Sequence, residues 1–470
     1  MSAAFPLAPL GAPLSSSARA SLCGTLGELL LWQRELRKWP AIAAAPDATP
    51  IISLYARGTL CGCAGVSEGP PGERILRAFV QALGDGRFGG LDSEARAELR
   101  CELSYARDAR PVDIASVVDV LEVGAHGLAV TTASGRPVTL LPDVARDNSL
   151  DAEAMLATLE QKSGALRSEW PSESLYLFET ESVLARQGQA PELSRDPVAA
   201  AAAWLAARVD REGRVSFGVS PRTGQESGKS PMFHGRVAIL LRALLSQVAG
   251  RGAAARARRW LESELQRGLL GHPVEQFPEQ PALVAGTLAL AAMAGLELGD
   301  ALQAYAARPE ISSVPWHAAQ VVAALGKRAP SPLWEACKRN LEAEPWAPWT
   351  ALAAKARGDG ETLARAAAAL IAAVPEHGPH VGGVGPSTVP ELARTAATVE
   401  ALLVVDSSDA RAACSRARAF LLKHQMHGDR CALSRDPLLV HGAFPQTPVH
   451  DYLQIDVTGH ALLALSEGSP

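Results

Sequence analysis

The chain has 470 residues, 47% of them hydrophobic and 20% charged, with a formal net charge of −5. That length exceeds one ordinary core and predicts two domains, and the composition excludes a disordered chain. The slight negative charge excludes a broad electrostatic attraction to nucleic acid or to an anionic membrane.

Residues 1 to 17 are rich in Pro, Ala and Ser and hold no basic residue before Arg19. They read as a disordered leader, not a secretory signal. The seven cysteines, at 23, 61, 63, 101, 337, 414 and 431, are odd in number and scattered, which fits a reducing cytoplasm. The longest apolar run, Ala282 to Leu298, is Ala- and Gly-rich and reads as a buried helix instead of a membrane span.

From residue 18 to 186 the patterns mix. A leucine-rich helix over 18 to 39 stops before Pro40, and Ile51 to Tyr55 reads as a strand leading into Cys61-Gly62-Cys63-Ala64-Gly65. Apolar positions 75, 76, 79, 80 and 83 have the spacing of a helix with one buried face. Strands are expected over 101 to 106 and 120 to 124, a hairpin over 128 to 141 turning at 133 to 136, a helix over 152 to 162 and a strand over 175 to 178. Strands and helices without regular alternation predict an α+β domain.

The flanking glycines let another group approach the backbone beside Cys63. A nucleophilic cysteine needs a neighbouring imidazole or cation, and His126 and Arg87 are the candidates. The other reading makes Cys63 a small packed residue, His126 a hydrogen-bonded hairpin residue and Arg87 a buttress. Cys61 and Cys63 alone would leave a metal under-coordinated, and no metal site is expected.

Several motifs resemble the AMMECR domain family, protein A of the AmmeMemoRadiSam system, over about residues 20 to 185. Leu60-Cys61-Gly62-Cys63-Ala64-Gly65 resembles its LRGCIG hallmark, Asp85-Gly86-Arg87-Phe88 its D-x-R-F segment and Gly124-Ala125-His126-Gly127-Leu128 its G-x-H-G-L. Leu140 to Ala145 is similar to LLPxVA, and Lys162-Ser163-Gly164-Ala165-Leu166 to the KAGL stretch. Cys61 stands where the family has arginine, Ala64 where it has isoleucine and Leu150 where tryptophan is usual. The first change removes a fixed cation beside Cys63. The resemblance implies a Memo-like protein and a radical-SAM enzyme as partners.

A polar linker is expected over 187 to 195, and after it Asp196-Pro197 has the form of an N-cap followed by proline at the first helical position. About twelve Ala- and Leu-rich amphipathic segments follow to residue 470, with no competing strand alternation. Taken in pairs they predict an all-helical domain, an α/α toroid of about six hairpins, with an irregular solenoid as the competing architecture. The stretch from Gly442-Ala443-Phe444-Pro445 to His460 diffusely resembles the toroid superfamily of terpenoid cyclases and prenyltransferase β-chains.

Asp451, Tyr452, Asp456 and His460 cluster in sequence, with Asp456 and His460 four apart on one helix face, and would line a funnel as ligand groups. The alternative makes Asp456 an N-cap and His460 a satisfied core residue. His234 and Arg236 open a helix after a Gly/Ser-rich loop and form a second ligand-binding candidate. No cofactor is expected. Together these features predict a two-domain cytoplasmic protein of a modification or biosynthetic pathway, with a small molecule or peptide in the helical domain. The alternatives are a noncatalytic adaptor, and a toroid-based glycan- or isoprenoid-active enzyme with a regulatory N-terminal domain.

Overall fold

The computed structural model describes residues 5–35, 42, 45–56, 59–88, 95–96, 98–186, 196–221, 224–226, 233–269, 281–343, 348–385, 389–426, 434, 437–450 and 452–466. A mixed α+β domain comes first and a mostly helical region follows.

The first domain is built on a six-stranded antiparallel sheet. Its strands are β1 (Ile51–Ala56), β2 (Thr59–Gly65), β3 (Arg100–Pro111), β4 (Gly127–Thr131), β5 (Pro137–Leu140) and β6 (Leu175–Arg186), in the spatial order β2-β1-β3-β6-β4-β5. β3 and β6 are the two longest and pair from Arg100 opposite Arg186 to Pro111 opposite Tyr176. Helices α1 (Ser16–Glu35) and α2 (Pro71–Leu83) cover one part of the sheet. There Leu26, Leu30, Ile75 and Phe79 pack on Ile52, Leu54 and Leu103. Helices α3 (Pro142–Asn148) and α4 (Ala152–Ser163) serve a second core, in which Met155, Leu156 and Leu159 meet Leu128, Val130 and Leu140. Asp151 caps α4 by accepting from the Ala154 N–H, and Gly164 ends it at φ 71°, the left-handed conformation that glycine adopts without strain.

The hairpin expected at 133 to 136 joins β4 to β5. The strand expected over Val120 to Gly124 is corrected. Val117–Val120 is a single helical turn, and Leu121 to Gly124 forms an irregular link with one isolated bridge, Val123 to His126. Its apolar residues Val117, Leu121 and Val123 are buried against α4 and β4, so tertiary burial and not strand pairing accounts for the hydrophobic pattern. The segment expected as a leader makes specific contacts. Leu10 N–H donates to Ala106 O at 2.8 Å, Thr49 N–H to Ala8 O at 2.8 Å, and the Phe5 ring lies 5.4 Å and 5.6 Å from those of Tyr176 and Phe178.

The helical region begins with α5 (Pro197–Ala207), where Asp196 accepts from the Val198 and Ala199 N–H groups as the sequence predicts. It continues with α6 (Phe233–Leu245), α7 (Arg251–Glu264), α8 (Pro281–Met293), α9 (Gly299–Ala306), α10 (Pro315–Leu325) and α11 (Ser331–Ala343). Then come α12 (Pro348–Arg357), α13 (Gly360–Ala373), α14 (Leu392–Leu402), α15 (Ser408–His424) and α16 (Ile455–Ser466). The even-numbered helices pack on one another in turn, α6 on α8, α8 on α10, α10 on α12, α12 on α14 and α14 on α16, and α16 packs back on α6. Each odd-numbered helix packs against one of these, α5 on α16, α7 on α6, α9 on α8, α11 on α10, α13 on α12 and α15 on α14.

The expectation of helices alone is corrected by a short antiparallel ladder of β7 (Gly218–Val219) and β8 (Leu453–Gln454). A Cβ at Gly218 would lie 2.4 Å from Leu453 O, so the two backbones meet because residue 218 has no side chain. Two residues on each side leave no alternation to read in sequence. The two parts of the chain touch where Lys423 pairs with Glu122, and where Val449 joins the buried cluster around Val117, Leu121 and Val123. Among the described residues no helix is long and apolar enough to cross a membrane.

Candidate functional site

β2 and β5 are opposite edges of the sheet, yet both line one cleft of about 480 Å³, so the sheet curls until its edges flank the same space. β1 contributes Ser53 and Tyr55, β2 contributes Leu60 and Cys63, and β5 contributes Pro137 to Leu140. Asp143 and Asp147 of α3, Lys162 of α4, and Arg87 complete the polar lining.

Cys63 faces this cleft because of a bulge. Leu54 pairs with Gly62 and Tyr55 with Leu60, leaving Cys61 as the extra residue. Alternation is broken there. Cys61 packs toward the α2 core with its thiol on Leu54 O at 3.2 Å, while Leu60 and Cys63 share the cleft side. The two thiols therefore face different environments, and all six described cysteines are free. Gly62 admits the end of α2, since a Cβ there would lie 2.0 Å from Ala82 O. The close approach expected at this glycine is made by helix backbone.

An edge strand leaves N–H and C=O groups unpaired, and at Cys63 the Asp85–Arg87 segment takes both. Cys63 N–H donates to Asp85 Oδ2 at 3.1 Å, and Arg87 Nη2 donates to Cys63 O at 3.0 Å. Arg87 also holds Asp85 through Nε at 2.8 Å and Nη2 at 2.5 Å, which pulls the carboxyl down to about 2. Arg87 is thus brought to Cys63, as a clasp on its backbone. Burial pushes the Cys63 thiol up, against smaller opposing effects of the Ser53 hydroxyl at 3.7 Å and of the Lys162 and Arg87 charges. Tyr55 is buried beside it, reaches Glu102 Oε2 at 3.4 Å, and is raised well above the ordinary phenol value by burial first and Glu102 second.

His126 is not among the residues lining the cleft. Its Nδ1 accepts from the Glu122 N–H at 3.0 Å, its Nε2 lies 3.9 Å from Glu179 Oε1, and burial pushes its imidazole down. Among the groups acting on it is Lys423 of the helical region, and His126 acts in turn on His380. The expected pairing of Cys63 with His126 is not made.

In the helical region candidates far apart in sequence meet. Arg236 donates through Nη1 to Gln454 Oε1 at 3.0 Å, sits 3.5 Å through Nε from Asp456 Oδ2, and covers the Phe217 ring at 4.7 Å. Among the described residues the Tyr452 hydroxyl and Asp456 Oδ1 are buried without a hydrogen-bond partner, a cost that a polar ligand would relieve. Asp456 is the second residue of α16, inside the first turn, so the alternative that made it the N-cap does not describe it. His234 stacks on Trp260 at 6.0 Å, with Nε2 3.9 Å from Glu264 Oε2. Asp451 lies outside the described residues.

His460 belongs to a different cluster. Its Nδ1 lies 2.6 Å from Glu400 Oε1, Arg242 Nη1 donates to Glu400 Oε2 at 2.9 Å, and Trp349 meets the imidazole edge to face at 5.9 Å. Glu400, 2% exposed, is flanked by Val399 and Ala401 on α14, and Arg242 interrupts the apolar run of α6. A lone charge on an apolar helix face was the available sequence signal for both. Among the described residues no group of three or more His, Cys, Asp or Glu side chains could hold a metal ion.

Residues 42–183 match the AMMECR1 family model. The match lies in the N-terminal part of the chain, and Cys63, Arg87, His126 and Lys162 all fall within it. No curated protein matches the chain. Among solved structures, the uncharacterized protein PH0010 from Pyrococcus horikoshii is 21% identical, spanning 37% of this chain and 96% of its own, with a TM-score of 0.29. A variant of the type II terpene cyclase MstE from Scytonema, in complex with geranylgeranyl dihydroxybenzoate, is 15% identical, spanning 57% of this chain and 95% of its own, with a TM-score of 0.35. The latter is a weak and partial resemblance.

Proposed function

We propose that the chain is a cytoplasmic protein of a modification or biosynthetic pathway, whose AMMECR1 domain holds a small molecule in the cleft against Cys63. The observation that carries this reading is the cleft of about 480 Å³ with a half-buried thiol on its wall. That volume is in the range of small-molecule sites, and the walls combine apolar residues with a few converging polar groups. The helical region is an α/α toroid of six hairpins. The return of α16 onto α6 supports this over a solenoid, whose terminal repeats do not meet. Arg236, Tyr452 and Asp456 form its ligand site, supported by the two orphaned oxygens. A Memo-like protein and a radical-SAM enzyme are the proposed partners.

A second reading, a noncatalytic binding role for the same cleft, is favoured by the thiol itself. Burial pushes Cys63 up and His126 stands elsewhere, so the cleft lacks the activated thiolate of a cysteine nucleophile. Substitutions separate the two. Cys63→Ala abolishes pathway product under the catalytic reading and leaves it near wild-type level under the binding reading. Filling the cleft with Val138→Trp lowers product under both. Undiminished product from a folded Val138→Trp protein removes the cleft from the function.

A further inference from the structure

We propose that the Cys63 cleft selects a small organic anion, with Lys162 and Arg136 receiving its carboxylate or phosphate and the apolar wall receiving its body. This rests on the reading that the cleft holds a small molecule, and adds the charge of that molecule.

The inference follows from which charges are already engaged. Arg87 is taken up by Asp85 and by the Cys63 carbonyl. Asp143 is taken up by Arg146 on the same helix. Lys162 reaches the cleft from the end of α4 and spends one of its three donors on Thr139 O at 2.7 Å. Arg136 reaches it from the β4–β5 turn. Among the described residues neither Lys162 nor Arg136 has a carboxylate partner.

Cations also gather around Lys162. After desolvation, the groups that act on Lys162 are Cys63, Arg87, Arg136 and Asp85, and both arginines push its ammonium down. Three cations thus share the Cys63 end with one carboxylate, and that carboxylate is committed to the β2 clasp. Tyr55, beside Cys63, is acted on by Glu102 and Asp147 and, in the opposite sense, by Arg146. Leu7, Leu60, Val138 and Leu141 supply apolar surface in the same cleft. A concave site with unneutralised cations at one end concentrates anions there.

The test compares two alkylating reagents of nearly equal size, anionic iodoacetate and neutral iodoacetamide, on the full-length chain, read at Cys63 by peptide mass spectrometry. Cys23, which is exposed on α1, is the internal reference. The expected iodoacetate-to-iodoacetamide rate ratio at Cys63 is about 10-fold above that at Cys23, the lower end for a cleft of one charge sign. It falls as salt is raised to about 1 M. Lys162→Gln and Arg136→Gln each lower the ratio toward that of Cys23, and Lys162→Arg restores it. A ratio at Cys63 equal to that at Cys23, or one unmoved by both glutamine variants, overturns the anion selectivity. Reaction of iodoacetamide at Cys63 without any preference leaves a ligand cleft and removes only its charge selection. Failure of both reagents at Cys63 while Cys23 reacts removes the cleft reading as well.

Discussion

Gly62 offers the sharpest test of how the Cys63 strand is held. Alanine in place of glycine within a strand ordinarily stabilises by about 0.5 to 1 kcal/mol, because the unfolded chain loses freedom. Here the added Cβ would lie 2.0 Å from Ala82 O and 2.9 Å from Ala82 C, both backbone atoms at the end of α2 that no side-chain rotation can clear. β2 and α2 must separate, and overpacking of this kind costs about 1 to 3 kcal/mol. With backbone on both sides of the clash, Gly62→Ala belongs at the upper end. At about 2 to 4 °C per kcal/mol for a domain of this size, a loss of about 3 kcal/mol lowers the melting temperature by about 6 to 12 °C. Gly65→Ala is the control, since its Cβ would meet Ile51 Cγ1 at 3.4 Å and Pro50 O at 3.5 Å, both ordinary contacts. Differential scanning calorimetry of both variants, with the alkylation rate of Cys61 under α2 as a local reporter, reads the difference. Equal melting temperatures for Gly62→Ala and Gly65→Ala, with Cys61 no more reactive in the first, would refute the contact.

Two further perturbations probe the buried charges. Glu400→Ala strands Arg242 and His460 around an empty site and is expected to cost about 3 to 5 kcal/mol in urea unfolding. Glu400→Gln keeps a hydrogen-bonding oxygen and costs less; a loss below about 1 kcal/mol in the alanine variant would show that the cluster is not held by Glu400. His380 is pushed down to about 4, by burial first and then by Lys423 and His126, while an unfolded imidazole keeps the ordinary value of 6.5. Between those values the unfolded chain binds a proton that the folded chain refuses, so stability is full above pH 6.5 and is lost as pH falls through 4. The contribution is on the order of 3 kcal/mol. A His380→Gln variant should lose less stability than the wild type between pH 7.5 and pH 4.5, and equal losses would contradict the assignment.

Much of the local structure was legible because its causes are local. Asp196-Pro197 announced a capped helix, and the apolar spacing from Ile75 to Leu83 announced α2. The AMMECR1 resemblance itself was readable, since its motifs are short and contiguous. The cleft was not legible. Cys63 and Arg87 stand out together in the sequence, but their relation is a backbone clasp on an edge strand, and edge position depends on strand order. His126 and Cys63 both lie in motifs, whereas the fold directs the imidazole toward Glu122 and Glu179. Val120 to Gly124 shows the same limit, since β-branched residues buried against α4 read like a strand.

The amino-acid order alone determined where most of the helices and strands form, because hydrophobic period, caps and turn residues act within a few positions of one another. Tertiary structure alone decided which distant groups became neighbours. It brought the two edges of the sheet around one cleft, set Arg236 beside Asp456, and buried Glu400 between Arg242 and His460. Such pairs depend on the packing of whole elements, whose energy comes from apolar surface shared by many residues and leaves no mark on the few polar ones it brings together.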